Sequence, residues 1–152
     1  MTDSFRQAAG RKVVSRASAE ELGRIDQLVL DAPARRVRAL LVGRGRKARL
    51  VDWDDVSGFG PDAVMVADDA AVREPADEWE RVAADGKLAV VGARALSERG
   101  NELGRVDDVT FDPATGVVDA IVVGGRAVPA TALLGSGSYA VVFDAAEDDR
   151  AG

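Results

Sequence analysis

Apolar residues in two regions of the chain have the spacing of β-strands. Leu28 and Leu30 stand two positions apart in the first region, and Val109 and Phe111 do so in the second. A period of two places side chains on one face of a strand. We therefore predict that these four residues point into a β-rich core.

Each of these strands is preceded by an apolar residue that falls out of phase. Ile25 lies three positions before Leu28, and Val106 lies three positions before Val109. Because the break occurs at the same place in both regions, it indicates a bulge or bend after Asp26 and its counterpart. The counterpart in the second region is Asp107.

The two regions are copies of one repeat. Residues 21–43 match residues 102–124 at ten of twenty-three positions without a gap. After a shortening of four residues, the match continues at a spacing of 77, with Gly58/Gly135 and Val64/Val141 among the identical pairs. The copies extend over residues 10–66 and 86–143. The sequence therefore predicts a tandem duplication of one small β-rich module.

A hairpin turn follows the second predicted strand of each copy. In the second copy, residues 112–116 are Asp-Pro-Ala-Thr-Gly, in which Asp accepts local backbone hydrogen bonds, Pro presets φ and Gly takes a positive φ. The first copy has Arg35 where the second has Gly116. We therefore expect the first turn to be looser or of another type.

The next strand of each copy is apolar on both faces, which a barrel with a wet exterior does not need. In the first copy Val37, Ala39 and Leu41 fall on one side, and Leu40 and Val42 fall on the other. We predict that the outward residues pack between the two modules or against a partner chain. A covering helix or loop is the alternative. The residues assigned to this packing are Leu40, Val42, Ile121 and Val123.

Two motifs resemble the PRC-barrel family. One is the segment Glu-Leu-Gly-Arg-Ile-Asp at residues 21–26, repeated with one conservative change at 102–107. The other closes the first copy, where Trp53, Val56, Gly58 and Gly60 precede Asp-Ala-Val at 62–64. In the second copy Ala130 replaces the Trp, and Ser-Tyr replaces Pro-Asp at 138–139, so a ligand-facing aromatic is expected to be lost there.

The resemblance implies an all-β fold with two small PRC-type β-barrels in tandem, joined by a short helical linker. It also implies a noncatalytic adaptor or scaffold that mediates protein–protein interaction. Family members include a subunit with a membrane helix and a ribosome maturation factor, and a stand-alone tandem protein fits this chain best. An RNA- or ribosome-associated assembly factor is the alternative function.

Linker and tail are predicted from their polar composition. Residues 67–85 form the linker, whose short helix begins near Pro75 and ends near Gly86. Residues 144–152 form an acidic tail that is too polar to pack and is expected to be disordered.

Composition excludes several classes of site. The chain has neither Cys nor His, which removes thiolate chemistry and the commonest general base and metal ligand. We therefore expect no enzyme activity, no metal, no cofactor and no small-molecule substrate. The apolar runs are too short to span a membrane and the first residues do not form a signal peptide, so we expect a soluble, cytoplasmic protein.

Charge is divided unevenly along the chain. Residues 1–66 carry 12 Lys/Arg and 9 Asp/Glu, whereas residues 67–152 carry 8 and 17. The candidate partner-binding residues are a run of cations with no acid among them, together with one aromatic. They are Arg35, Arg36, Arg38, Arg44, Arg46, Lys47, Arg49 and Trp53.

Three interpretations of this basic cluster remain open. It is a solvated surface, a docking site for acidic protein sequence, or a site for RNA or anionic lipid. We favour a protein partner or self-association, because the acidic overall charge disfavours nonspecific binding of nucleic acid. Trp53 is also compatible with core or interface packing.

Overall fold

The computed structural model describes residues 2–151, with side chains described as far as Asp148. Within that range the chain is mostly β. The strands in chain order are β1 (Asp3–Ser4), β2 (Lys12–Ser15), β3 (Glu21–Asp31), β4 (Arg36–Val42), β5 (Arg49–Asp52), β6 (Val56–Phe59), β7 (Ala63–Val66), β8 (Arg94–Ser97), β9 (Glu102–Phe111), β10 (Val118–Val123), β11 (Arg126–Pro129), β12 (Leu133–Ser136) and β13 (Val141–Phe143).

Helices are few and short. They are α1 (Phe5–Ala8), α2 (Glu78–Ala84) and α3 (Ala146–Ala151). Single 3-10 turns lie at Gly45–Lys47, Trp53–Asp55, Asp69–Ala71 and Ala130–Ala132. No helix in residues 2–151 has the length and apolar content needed to cross a membrane.

The strands form two sheets with the same order. The first sheet runs β5-β4-β3-β2-β7-β6, and the second runs β11-β10-β9-β8-β13-β12. In each sheet one pair is parallel, β2 with β7 and β8 with β13. The duplication predicted from the sequence is therefore present in the topology.

Both long strands bend where the sequence predicts it. The β3–β4 register shifts between Ile25 and Gln27, and the β9–β10 register shifts between Val106 and Asp108. The residue that is skipped is the Asp of the repeated motif in both cases. The bulge lets one strand serve two ladders, with its first half paired to β2 or β8 and its second half to β4 or β10.

The sheets are open paths, so the prediction of closed barrels is wrong at the level of hydrogen bonding. Within the described residues, the end strands β5 and β6 pair with one neighbour each inside their sheet, and so do β11 and β12. A 3-10 turn separates the two end strands in each module. In the first module the free edge of β5 is instead paired at Leu50 with a residue from outside the sheet, Arg73.

The two hairpin turns differ in sequence but keep the same backbone hand. Gly116 has φ of 79° and Arg35, its equivalent, has φ of 54°. The expectation of another turn type is supported by the backbone bonds, since the Arg35 N–H donates to the Ala32 carbonyl whereas the Gly116 N–H donates to the Asp112 carbonyl. The Arg nevertheless adopts the left-handed region that Gly enters without steric cost. An L-residue in that region costs about 1–2 kcal/mol, so other contacts must hold Arg35 there.

Those contacts join the two modules. The Val37 N–H donates to the Gly116 carbonyl at 2.8 Å, and the Val118 N–H donates to the Arg35 carbonyl at 2.9 Å. The two bonds exchange equivalent positions of the repeat, so a pseudo-twofold axis relates them. Between them, the residues at 36 and 117 form an antiparallel bridge. We call this arrangement the turn joint, and its geometry is that of an isologous dimer interface within one chain.

Side chains at the turn joint are matched in size. A Cβ placed on Gly116 would lie 2.7 Å from Cε2 of the Trp53 ring. At the symmetry-related place Trp53 is replaced by the small Ala130, and Gly116 is replaced by Arg35. The Arg35 guanidinium donates to the carbonyl of Thr131, the next residue, at 3.0 Å. At one of the two equivalent contacts the large residue is Trp53, which follows β5. At the other contact it is Arg35, which lies in the hairpin turn.

One apolar core runs through both modules. Phe111 is fully buried and meets the rings of Phe5, Trp53 and Phe59 edge to face at centroid distances of 5.7, 6.1 and 5.4 Å. Strand β1 pairs with β9, with Asp3 opposite Phe111. The N-terminal segment therefore ties the first module to the second sheet. The four residues predicted to point inward, at positions 28, 30, 109 and 111, all belong to this core, and so do Ile25 and Val106.

The acidic tail is ordered where the sequence predicts disorder. Helix α3 occupies most of it, and the Glu147 carboxylate forms an ion pair with Arg126 at 2.8 Å while only 2% exposed. A charge-assisted hydrogen bond offsets the cost of burying that carboxylate. Gly152, the last residue of the predicted tail, lies outside the described residues.

Replacing Gly116 by Ala tests the turn joint. The added methyl would meet the Trp53 ring, whereas a Cβ on Gly124, which also has positive φ, would meet nothing within 4 Å. We expect Gly116→Ala to lower the free energy of unfolding by about 1–3 kcal/mol more than Gly124→Ala, since overpacking adds to the backbone cost. Urea denaturation of both variants measures this difference. Equal losses would show that the Trp53 contact does not constrain the joint.

Two substitutions at Arg35 separate its backbone strain from its side-chain contacts. Arg35→Ala removes the bond to Thr131 but keeps an L-residue at positive φ. Arg35→Gly removes the same bond and relieves the backbone. We expect the free energy of unfolding of the Gly variant to exceed that of the Ala variant by about 1 kcal/mol. The Gly variant should therefore have the higher thermal unfolding midpoint. An Ala variant that is equally stable would contradict the strained turn.

Candidate functional site

One face of the first sheet is covered by a later part of the same chain. We call it the first outer face. It consists of the buried residues Val29, Ala39, Leu41 and Leu50. Ala83 and Ala84 of α2 pack on this face, and Leu88 contacts its margin. Since these residues form a cluster separate from the main core, helix α2 supplies the apolar cover that this face needs.

The segment before α2 extends the sheet by strand addition. The Arg73 N–H donates to the Leu50 carbonyl at 2.9 Å, and the Leu50 N–H donates to the Arg73 carbonyl at 2.8 Å. An unpaired strand edge is otherwise open to other chains. Residues 72–88, which we call the docked segment, therefore bind the first module by one paired residue and one short helix.

An ion network anchors the docked segment. Arg73 donates to both oxygens of Asp52 at 2.7 and 3.1 Å, and to both oxygens of Glu80 at 2.7 and 2.9 Å. The Ala76 N–H also donates to Glu80 at 2.7 Å. Paired, forked bonds of this kind fix geometry as well as charge. The network links the end of β5 to the helix that covers it.

The network shifts the titration of its members. Hydrogen bonds from Arg73 hold the pKa of the buried Glu80 carboxyl at about 2, below its ordinary value of 4.5, although burial acts in the opposite direction. The hydrogen bonds that Arg73 donates to Glu80 and Asp52 raise the pKa of its guanidinium. Glu80 is therefore ionised throughout the neutral range.

A cation–π contact also joins helix α2 to strand β4. The Arg38 guanidinium lies 4.1 Å from the centre of the Trp79 ring, which is itself 39% exposed. Asp77 caps the helix by accepting from the Glu80 N–H at 2.8 Å. Arg38 projects from a bulge in β4, where the register shifts. The bulge thus directs one member of the basic cluster onto the helix.

The other members of the basic cluster are spread over separate contacts within the chain. Arg44 pairs with Asp26, Arg49 with Glu74, and Arg36 with Asp54. Arg35 lies in the turn joint. The described contacts include no ion pair for the exposed side chains of the remaining two cations, which are Arg46 and Lys47. The described contacts thus give several of these cations separate partners within the chain.

Trp53 is not available to a partner, in contrast to its place among the predicted binding residues. Its side chain is 8% exposed and packs on Gly116 and Phe111. Trp53 therefore packs at the interface between the two modules, which is the alternative that the sequence allowed.

The residues predicted for packing between modules are buried, but not on the outer face. Leu40, Val42, Ile121 and Val123 lie in the main core. The bulge at Arg38 places Val37 on the same side as Leu40 and leaves Ala39 and Leu41 facing outward, so the predicted assignment of the two faces is reversed. Helix α2, the alternative cover, lies on that outward face.

The adjacent carboxylates of Asp107 and Asp108 both accept hydrogen bonds from backbone N–H groups. Asp107 accepts from the Gly125 N–H at 2.7 Å, and Asp108 accepts from the Arg6 N–H at 3.0 Å. Within the side chains that are described, no group of three or more Asp or Glu converges as a metal site.

Comparison with known proteins accounts for both modules. The model of the PRC-barrel domain matches residues 3–73 and 89–150. The chain belongs to the PRC-barrel domain family. No curated protein matches it. The first PRC match begins at β1 and ends at Arg73, so both of its ends lie outside the predicted boundaries of 10–66. Both ends also make contacts, because β1 pairs with β9 and Arg73 pairs with Leu50.

Sequence reasoning missed Arg73 and Glu80, the residues that hold the docked segment on the first PRC module. A signal for Glu80 was present, because it precedes Ala83 and Ala84 by three and four positions and therefore shares their helix face. An acid on the apolar face of a helix needs a buried cation. Arg73 itself carries no such signal, since its partners lie in β5 and α2.

The Arg73–Glu80 contact predicts a pH dependence. Between pH 4.5 and 2 the unfolded Glu80 binds a proton that the folded carboxylate does not, so this contribution to stability is complete above pH 4.5 and is lost as the pH falls towards 2. We expect Glu80→Gln to destabilise the protein by about 1–3 kcal/mol near pH 7, with the difference shrinking at acid pH. Denaturant titrations of both proteins at pH 7, 4 and 2.5 measure it. A difference that is independent of pH would contradict the assignment.

Proposed function

We propose that the chain is a noncatalytic scaffold whose PRC modules bind protein segments on the outer faces of their sheets. The observation that carries the proposal is the docked segment. It is a length of polypeptide that a PRC module holds by strand pairing at Leu50, by apolar contacts of α2 and by the Arg73 network. Strand addition and helix docking are two recurring ways in which a domain binds a peptide.

The division of the basic cluster supports a protein partner over RNA. Arg44 and Arg49 are each paired with an acid of the same chain, and Arg38 is stacked on Trp79. A cation that is paired with an acid of its own chain must give up that pair to neutralise a phosphate, which weakens the electrostatic driving force for RNA binding. Arg46 and Lys47 are exposed and fit the hypothesis of a weak contact with acidic sequence.

A cytoplasmic location also stays a prediction.

A reconstitution experiment tests the scaffold function. The tagged full chain is expressed in its native cells, crosslinked briefly and purified with and without nuclease, with the tag alone as control. Each retained protein is then produced separately and titrated against the purified chain by calorimetry at physiological salt. We expect at least one to bind the full chain directly, after nuclease treatment, with a dissociation constant of about 10 µM or tighter, as suits a specific interface.

Two results would overturn the scaffold function. One is that no protein binds directly once nuclease has been used. The other is that the purified chain binds RNA with submicromolar affinity at physiological salt and loses it in the double variant Arg46→Glu, Lys47→Glu. That second result would establish the RNA- or ribosome-associated factor instead.

A further inference from the structure

The second PRC module presents the face that the docked segment covers in the first. Repeat equivalence pairs the four residues of the first outer face with four residues of the second sheet. These are Thr110, Ala120, Val122 and Ala127, which we call the second outer face. The first three are half-buried and Ala127 is exposed, whereas their counterparts under α2 are buried.

The edge of the second sheet has the same register as the edge that receives Arg73. Ala127 stands opposite Val122 in β11–β10, as Leu50 stands opposite Leu41 in β5–β4. The Leu50 N–H and C=O point away from β4, because both bond to Arg73. The equivalent groups of Ala127 therefore point away from β10, and the described backbone bonds at this edge include no partner for them.

The tail of the second module takes another course. After β13 the chain forms α3, whose Glu147 pairs with Arg126. Arg126 and Val128 project from one side of β11 while Ala127 projects from the other, because side chains alternate along a strand. Val128 belongs to the buried core. Among the side chains that are described, as far as Asp148, α3 therefore contacts the core side of the strand, and no described contact covers the second outer face.

We infer that the second outer face binds a segment of another protein, made of an extended stretch followed by a short cationic helix with large aliphatic side chains. The inference rests on the proposed scaffold function and names its surface. The free edge of β11 would receive the extended stretch, as the edge of β5 receives Arg73. The helix would lie across Ala120 and Val122, as α2 lies across Ala39 and Leu41.

Charge on the second module selects a cationic partner. Asp119 occupies the bulge position at which the first module has Arg38, the residue that contacts the docked helix. Asp119 is exposed and has no ion pair among the described contacts. Residues 89–150 carry five Lys/Arg and ten Asp/Glu, a net charge of −5, whereas residues 3–73 carry thirteen and eleven, a net charge of +2. Opposite charge on the partner favours association.

Side-chain volume selects large residues on the partner helix. The side chain at each position of the second outer face is no larger than the side chain at the equivalent position of the first outer face. Val122 stands in place of Leu41, and Ala127 stands in place of Leu50. In the first module the larger surface residues meet the small Ala83 and Ala84. Because interfaces pack to the density of protein interiors, a shallower surface needs longer side chains opposite it.

A designed peptide can stand in for the partner. The probe is a fluorescein-labelled peptide of residues 72–88 with five changes that make it cationic and larger on its apolar face: Glu78→Lys, Trp79→Lys, Ala83→Leu, Ala84→Leu and Asp85→Lys. A charge-reversed probe carries Trp79→Glu in place of Trp79→Lys and is otherwise identical. Both are titrated against the full chain by fluorescence anisotropy at low and physiological salt.

The expected result is a preference that reverses with Asp119. The cationic probe should bind the unmodified chain about fivefold more tightly than the charge-reversed probe, and Asp119→Arg should reverse that order, since one exposed charge contact has about this effect. Ala127→Pro, which removes one outward N–H of the edge strand, should weaken both probes. Amide chemical shifts should change at positions 120, 122 and 127.

Four outcomes would overturn this inference while leaving the scaffold function standing. One is that the probes bind with no preference, or that Asp119→Arg does not change it. Another is that the shift changes map elsewhere. The third is a concentration-dependent dimer in sedimentation that Asp119→Arg abolishes, which would show that a second copy occupies the face. The fourth is that the reconstituted natural partner binds Asp119→Arg as well as the unmodified chain, in which case the scaffold acts through another surface.

Discussion

The pair of backbone hydrogen bonds in the turn joint is the constraint on which the rest of the structure depends. By exchanging Val37 N–H and Val118 N–H between the two turns, it fixes the orientation of both sheets about one pseudo-twofold axis. That orientation brings Phe111 among aromatic rings from the other half of the chain. A module of about 60 residues buries too little surface to be comfortably stable alone. The shared core compensates for this, and the covalent link removes the entropic cost of dimerisation.

Departures from repeat symmetry cluster at this joint and compensate for one another. Trp53 needs the space that Gly116 leaves, and Arg35 extends towards the side on which Ala130 replaces the Trp. The missing aromatic of the second copy is thus explained by packing rather than by a lost ligand. Arg35 keeps its unfavourable φ because its carbonyl and guanidinium are both held by the second module.

Local signals in the sequence predict the parts of the fold that depend on local chemistry. The repeat, the bulges at Asp26 and Asp107 and the Asp–Gly turn all follow from the spacing or type of a few neighbouring residues. The reversed faces of β4 do not, because the bulge at Arg38 depends on its pairing with β3. The open sheets, the order of α3 and the Arg73 network depend likewise on partners distant in sequence. Three members of the basic cluster, which is continuous in sequence, pair with acids that no local pattern identifies.

Duplication followed by divergence leaves the two outer faces in different states. The first face is covered by a tethered segment, so its cover costs no association entropy and is present at any concentration. The second face has the same edge register, smaller side chains and an acid where the first has Arg38. A separate chain must offset the entropy of association to bind there, and a single exposed charge contributes little affinity while still discriminating between partners. The first face is thus used for stability within the chain, and the second is the face that we propose for the selection of a partner.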